Sequence, residues 1–132
     1  MLISLSLKTT CRQQMLNITS LIEQKLRENN LENGICLAFV PHTTAAVTIN
    51  ENADPTVPQD LLNKMERLIP QKDHYRHMEG NSDAHLKTIL VGSSELIPVQ
   101  NQKLQLGIWQ GVFFCEFDGP RTRKITLQFI PA

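Results

Sequence analysis

The sequence predicts an α+β domain with mostly antiparallel sheets. Three observations carry this. Apolar and polar residues alternate over residues 2–7 and again over 122–130, the period of half-buried strands. Two internal segments, 18–26 and 57–68, space their apolar residues at helical intervals instead. The order is then strands, helix, strands, helix, short helix, strands.

The 132 residues suit one domain, long enough to bury roughly two-thirds of the unfolded surface. They are too few for a TIM barrel, which needs about 200 residues. Hydrophobic residues make up 41%, ordinary for a soluble globular protein. Lys+Arg and Asp+Glu balance at 13 each, so no global field steers the chain to nucleic acid or to an anionic membrane. Any anion binding must come from a local cluster. Cys11, Cys36 and Cys115 are odd in number and lack metal-binding spacing; Cys36 and Cys115 lie in apolar runs and read as buried free thiols. That pattern suits a reducing compartment. Residues 1–7 lack the basic head and long apolar core of a signal peptide, and the apolar run 35–40 is too short to span a bilayer. A cytoplasmic protein is the expectation.

The first strand covers residues 2–7. Residues 9–14 are polar and turn or continue as a second short strand. A helix starts at Asn17 or Thr19, with Ile18, Leu21, Ile22 and Leu26 on its apolar face, and Asn29-Asn30 and Asn33-Gly34 end it. Residues 34–40 form a buried strand that Pro41 breaks. Residues 43–50 are β-branched and alternating, and the two runs are expected to be neighbouring strands. Asp54-Pro55 turns the chain. A helix over 56–69 follows, with Thr56 as N-cap, Pro58 in its first turn, and Val57, Leu61, Leu62, Met65 and Leu68 on one face. A loop leads to a short helix over 83–90, capped by Asn81 or Ser82, whose apolar face is Leu86, Ile89 and Leu90. Residues 95–99 and 103–106 read as a hairpin. Residues 108–117 form an apolar strand with bends or bulges at Gly107 and Gly111. Asp118-Gly119-Pro120 is a turn, and the last strand places Ile125, Leu127 and Phe129 on one face.

Chemistry concentrates in residues 74–85, which hold three of the four histidines. Histidine is the side chain suited to proton transfer near neutral pH and the commonest metal ligand. His77 and His85 do not form a helical HxxxH pair, so their meeting requires the loop to fold back at Gly80. His42 at the strand break is a third imidazole, and three imidazoles with an open position make a catalytic zinc-type site. Glu51, Asp54, Asp83 and Glu116 are the carboxylates available to orient imidazoles, bind Mg²⁺ or act as bases; Asp54 reads equally as a turn or cap residue. Arg121, with Arg123 and Lys124 after the turn, suits phosphate or carboxylate binding. Gly92-Ser93-Ser94 offers hydroxyl and backbone donors, though at a helix end rather than a start. Trp109, between Gly107 and Gly111, floors a flat-ligand pocket or fills a core, and core filling is the favoured reading.

Four blocks then stand out together. They are His42-Thr43-Thr44-Ala45-Ala46-Val47-Thr48-Ile49-Asn50-Glu51-Asn52-Ala53-Asp54-Pro55; His77 through Glu79-Gly80-Asn81-Ser82-Asp83-Ala84-His85-Leu86-Lys87; Leu106-Gly107 with Trp109-Gln110-Gly111; and Glu116-Phe117-Asp118-Gly119-Pro120-Arg121. In this order they resemble the signature blocks of the YjbQ-like family, often labelled secondary thiamine-phosphate synthase. The resemblance covers essentially the whole chain as a single domain, residues 1–132. It implies an α+β fold with a seven-stranded, mostly antiparallel β-sandwich and two main helices. It also implies a homotrimer with a metal or ligand site near the subunit boundary. His42, His77 and His85 would hold a divalent metal, zinc or alternatively magnesium. Glu51, Asp54, Asp83 and Glu116 would supply catalytic carboxylates. Arg121, Asn52, Ser82 and Trp109 would bind a small phosphorylated substrate. His74 lies outside the pattern, and Gly107-Ile108-Trp109 departs from the family's more usual Gly-Thr-Trp.

The family label implies joining a pyrimidine diphosphate to a thiazole phosphate with loss of pyrophosphate. Histidine-rich coordination suits zinc better than the magnesium usual with diphosphates, which points to that activity as a side activity. The sequence therefore leaves three readings open: a metal-dependent enzyme, a non-catalytic metal- or ligand-binding homotrimer, and histidines with a purely structural role.

Overall fold

The computed structural model describes residues 1–132. The α+β class holds, with mostly antiparallel sheets. Eight strands and three helices follow in the order β1 (Leu2–Lys8), β2 (Gln14–Asn17), α1 (Thr19–Glu28), β3 (Gly34–Phe39), β4 (Ala45–Glu51), α2 (Thr56–Leu68), α3 (Ser82–Val91), β5 (Ser94–Gln100), β6 (Lys103–Leu104), β7 (Gln110–Glu116) and β8 (Thr122–Pro131). The expected seven strands and two main helices are each one short. The strand count includes the two-residue β6, and α3 is a full ten residues, as long as α1.

The strands form two sheets, a five-stranded one in the order β1-β8-β3-β5-β6 and a three-stranded one in the order β2-β7-β4. All pairings are antiparallel. One core joins Cys36, Ala38, Ile97, Ile125 and Leu127 of the first sheet to Val47, Val112 and Phe114 of the second, with Ile22 and Leu26 of α1. Asn17 Oδ1 accepts from the Thr19 amide and hydroxyl and so starts α1. Asn101 and Gln102 both take positive φ, as the two-residue turn of the β5–β6 hairpin requires. Gly34 starts β3 against the end of β8, where a Cβ would come within 2.1 Å of the Ile130 carbonyl oxygen. Cys36 and Cys115 are buried free thiols, as expected. No helix is long and apolar enough to cross a membrane.

Four local expectations need correction. β3 and β4 are not neighbours: β3 pairs with β5 and β8, and β4 pairs with β7. Pro41 ends β3, and residues 40–44 carry the chain across to the other sheet, so both strands face the same core from opposite sides. Thr56 is not the cap of α2 but its first residue, and its amide and hydroxyl donate to the Asp54 carboxylate ahead of the helix. Trp109 fills no core and is 60% exposed. α3 is turned about its axis from the orientation its apolar residues suggest: Asp83, Ala84, Lys87 and Thr88 are buried, while Leu86, Ile89 and Leu90 face outward. The inward charges are satisfied by one another. Lys87 Nζ donates to Asp83 Oδ2 at 2.8 Å, Glu66 Oε2 at 2.7 Å and Gln13 Oε1 at 3.0 Å, and Arg12 donates to Asp83 Oδ1 at 2.8 Å. Such a network tolerates burial only because each charge is paired.

Candidate functional site

The site grows from two interruptions of regular structure. The first is the crossing after β3. Thr126 of β8 pairs with Phe39, the last residue of β3. Two residues earlier on β8, the Lys124 amide lies beyond the end of that ladder. A strand amide left unpaired is costly, and His42 supplies the acceptor: Lys124 N donates to His42 Nε2 at 2.9 Å. The crossing segment is held from below by the Val40 amide, which donates to the Ser93 carbonyl at 2.8 Å.

The second interruption is the loop from α2 to α3. It does fold back at Gly80, whose φ is +78°. The fold-back brings the rings of His77 and His85 to a centroid separation of 5.4 Å at an interplanar angle of 89°. Asn81 closes the turn. Its carbonyl accepts from the Ala84 and His85 amides, and its Nδ2 donates to Asp118 Oδ2 at 2.8 Å. Arg121 reaches the same carboxylate from the other side, donating from Nη2 to Asp118 Oδ2 at 2.9 Å and from Nε to the Asp118 carbonyl at 2.8 Å.

These pieces line one open cleft of about 740 Å³. His42, Thr43 and Thr44 form one wall; His77, Glu79, Asn81 and His85 form the other; Asp118, Arg121, Arg123 and Ser93 complete it. Only two of its fourteen lining residues are hydrophobic, so the molecule it suits is polar or charged. Arg121 keeps half of its side chain exposed, whereas Arg123 is buried.

Beneath the cleft lies a second buried ion pair. Arg123 donates to both carboxylate oxygens of Glu116 and to Thr44 Oγ1, and Thr9 Oγ1 donates to Glu116 Oε1 at 2.7 Å. Burial raises the Glu116 pKa, but Arg123, Thr9 and the Asp118 amide outweigh it and hold the carboxyl below its ordinary value. Asp83 behaves alike: burial is outweighed by Arg12 and Lys87. Burial first, and then the Arg123 charge, lowers the His42 pKa.

The sequence-predicted residues thus divide. His42, His77, His85 and Arg121 share the cleft. Glu116 lies under it, behind Arg123. Arg123, expected as an anion clamp beside Arg121, is committed to Glu116. Asp83 is on the inward side of α3, within the Lys87 network, and Ser82 sits outside the cleft near His77 and Leu86. Glu51, Asn52, Asp54 and Trp109 are not brought to it. They lie at or past the far end of β4, about 20 Å along the strand from its cleft end. There the Asn52 amide donates to the Trp109 carbonyl at 2.9 Å, and the Asn52 side chain covers Gly111, where a Cβ would come within 2.7 Å. Three cleft residues, Glu79, Asn81 and Asp118, received no site role from the sequence. Their one signal was position, each within a few residues of a candidate histidine or arginine. Ser93, from the glycine-serine segment, does line the cleft.

For a metal, the donor set fits in kind. Neutral imidazole is a common ligand, and His77 and His85 face each other at the cleft wall. The set is not assembled as a three-ligand centre: no group of three or more His, Cys, Asp or Glu stands close enough to hold an ion. His42 already commits Nε2 to Lys124.

A profile of the UPF0047 protein YjbQ-like family matches residues 3–132. Among curated proteins, UPF0047 protein YugU of Bacillus subtilis is 50% identical over 131 residues, covering 98% of this chain and 99% of YugU. UPF0047 protein MJ1081 of Methanocaldococcus jannaschii is 47% identical over 130 residues, covering 98% of this chain and 94% of that protein. Among solved structures, a YjbQ/UPF0047 family protein of Clostridium acetobutylicum superposes with a TM-score of 0.93 at 48% identity, covering 97% of this chain and 99% of that one. APE1520 of Aeropyrum pernix superposes with a TM-score of 0.94 at 36% identity, covering 100% of this chain and 99% of that one. With the signature blocks in register, the fold matched and the profile spanning nearly every residue, the chain belongs to the UPF0047 YjbQ-like family.

Proposed function

We propose that the cleft is the active site of a metal-dependent enzyme acting on a small phosphorylated substrate. The candidate reaction is the joining of a pyrimidine diphosphate to a thiazole phosphate, or a related phosphate-ester step. The observation that supports this is that three histidines and a half-exposed arginine line one polar cleft. Arg121 binds the phosphate. Its fork is pre-set by Asp118, which is itself fixed by Asn81, so less side-chain freedom is lost on binding. His77 and His85 are the pair that would hold a zinc-class divalent ion. Such an ion, when bound, supplies positive charge to a departing pyrophosphate. Glu116 and Asp83 act behind the cleft, holding Arg123 and α3 in place.

The same reading has the chain act as a homotrimer with the cleft near the subunit boundary. Leu86, Ile89 and Leu90 give α3 an outward apolar face beside His85, and such a face is normally covered. A second reading, binding without turnover, draws on a different observation: Glu116 and Asp83 are both locked in ion pairs, so neither is a free base.

Metal-replete wild-type protein, assayed with the pyrimidine diphosphate and thiazole phosphate pair and with a panel of phosphate esters, separates the two. Turnover that disappears in His77→Ala and His85→Ala, with fold retained, supports the enzyme. Stoichiometric binding of zinc or phosphate with no turnover supports the second reading.

A further inference from the structure

We infer that His42 serves the cleft as a hydrogen-bond donor to bound phosphate, held as the neutral Nδ1–H imidazole by the Lys124 amide that occupies its Nε2. The inference rests on the reading of the cleft as a phosphate site and assigns a role to one of its walls. A backbone amide only donates. With Lys124 N 2.9 Å from His42 Nε2, a proton on Nε2 would meet the amide proton head-on, so Nε2 must carry the lone pair. The neutral ring then keeps its one proton on Nδ1. A protonated Nδ1 has no lone pair for a metal, but it is a good donor to an anion.

The arrangement follows from the chain rather than from a chance rotamer. β3 stops at Phe39, and Pro41 stands where the next partner of Lys124 would be. Proline gives the ladder no continuation there. His42 fills the gap, and the amide fixes its tautomer. The charged groups around it agree. Arg123 and Arg121 both act on His42 as positive charges, and Glu116, the carboxylate that acts on it, is paired with Arg123. His42 and Arg121 line the same cleft, where Asp118 is paired with Arg121 and Asn81, and Glu79 stands on the opposite wall beside His77. His42 is thereby separated in role from His77 and His85.

Two experiments on the intact protein test this. Long-range ¹H–¹⁵N correlation spectra of ¹⁵N-histidine-labelled protein, free of metal and ligand and in mildly alkaline buffer, report which ring nitrogen holds the proton. One of the four histidines is expected to show a protonated Nδ1 and a bare Nε2, and that signal disappears in His42→Asn. A His42 signal with the proton on Nε2 overturns the inference. Inorganic phosphate is then titrated into wild type, His42→Asn, His42→Gln and His42→Ala. The asparagine amide nitrogen stands where Nδ1 stood, so His42→Asn keeps affinity within about twofold, while His42→Gln and His42→Ala lose about tenfold, the scale of one hydrogen bond to a charged group. Zinc uptake is unchanged in His42→Asn. Loss of zinc in that variant, or wild-type phosphate affinity in His42→Ala, overturns the donor role. A wild-type protein that binds no phosphate overturns the phosphate reading of the cleft itself. The wrong tautomer with phosphate binding intact overturns only the inference.

Discussion

The His77 and His85 rings meet edge to face with centroids 5.4 Å apart, although one is in a loop and the other in the first turns of a helix. Neither ring is buried, so neither supports the core. His77→Ala and His85→Ala should each lower zinc affinity by about tenfold or more, the loss of one ligand, while the urea midpoint stays nearly unchanged. Calorimetric zinc titration beside urea melts checks both halves.

Arg121 is half exposed and its ion pair with Asp118 lies at the surface. Arg121→Ala should therefore cost under about 1 kcal/mol of stability while removing most phosphate affinity. Asp118→Asn should weaken phosphate binding less, because the Arg121 contact to the Asp118 carbonyl survives. Equilibrium phosphate binding on the two variants ranks these effects.

Lys87 is wholly buried against Asp83. Lys87→Met leaves that buried carboxylate with Arg12 as its one remaining cation and should destabilise the fold by about 3–5 kcal/mol. The double change Lys87→Met with Asp83→Leu should recover part of the loss, since a buried pair replaced as a unit costs less than a broken one. Urea unfolding of the single and double variants gives the coupling.

Acid should unfold the protein steeply. Glu116 and Asp83 both have folded-state pKa values lowered from the ordinary carboxylate value near about 4. A lowered folded pKa means that their contribution to stability is fully present above the unfolded value and is lost as pH falls through the folded one. Glu116→Gln should be less stable at neutral pH and should show a shallower loss as pH falls below the ordinary carboxylate value. Thermal melts across that range measure the slope.

The outward face of α3 makes a prediction about self-association. Ile89→Asp and Leu90→Lys alter exposed side chains, so each should leave the chain folded while reducing its oligomeric size. Light scattering on wild type and variants reads this directly. A wild-type monomer removes the trimer from the proposal.

Much of the fold was legible because period-2 alternation and helical spacing report burial directly, as in β8, where Ile125, Leu127 and Phe129 are indeed inside. α3 misled for a physical reason. Its apolar residues Leu86, Ile89 and Leu90 are exposed, and helical spacing alone does not say which side of a helix meets the chain's own core. Its inward side is made of Asp83 and Lys87, acceptable only because Arg12, Gln13 and Glu66 arrive from elsewhere in the chain. The cleft was half legible. Histidines cluster visibly, and Gly80 signals the fold-back. The commitment of Glu116 to Arg123 was not visible, because that pair depends on the register between β7, the turn and β8. Trp109 and Asn52 were read as site residues through block membership, yet they stabilise the opposite end of β4.

The measurement that bears most directly on the cleft as a metal and phosphate site is elemental analysis of gently purified wild-type protein beside the His77→Ala, His85→Ala double variant, with oligomer size recorded for both. About one zinc-class ion per chain in the wild type, and none in a double variant of unchanged size, is the predicted result. Wild-type protein that takes up no divalent ion even when zinc or magnesium is supplied would contradict the metal site and leave Arg121 and His42 as a phosphate site alone.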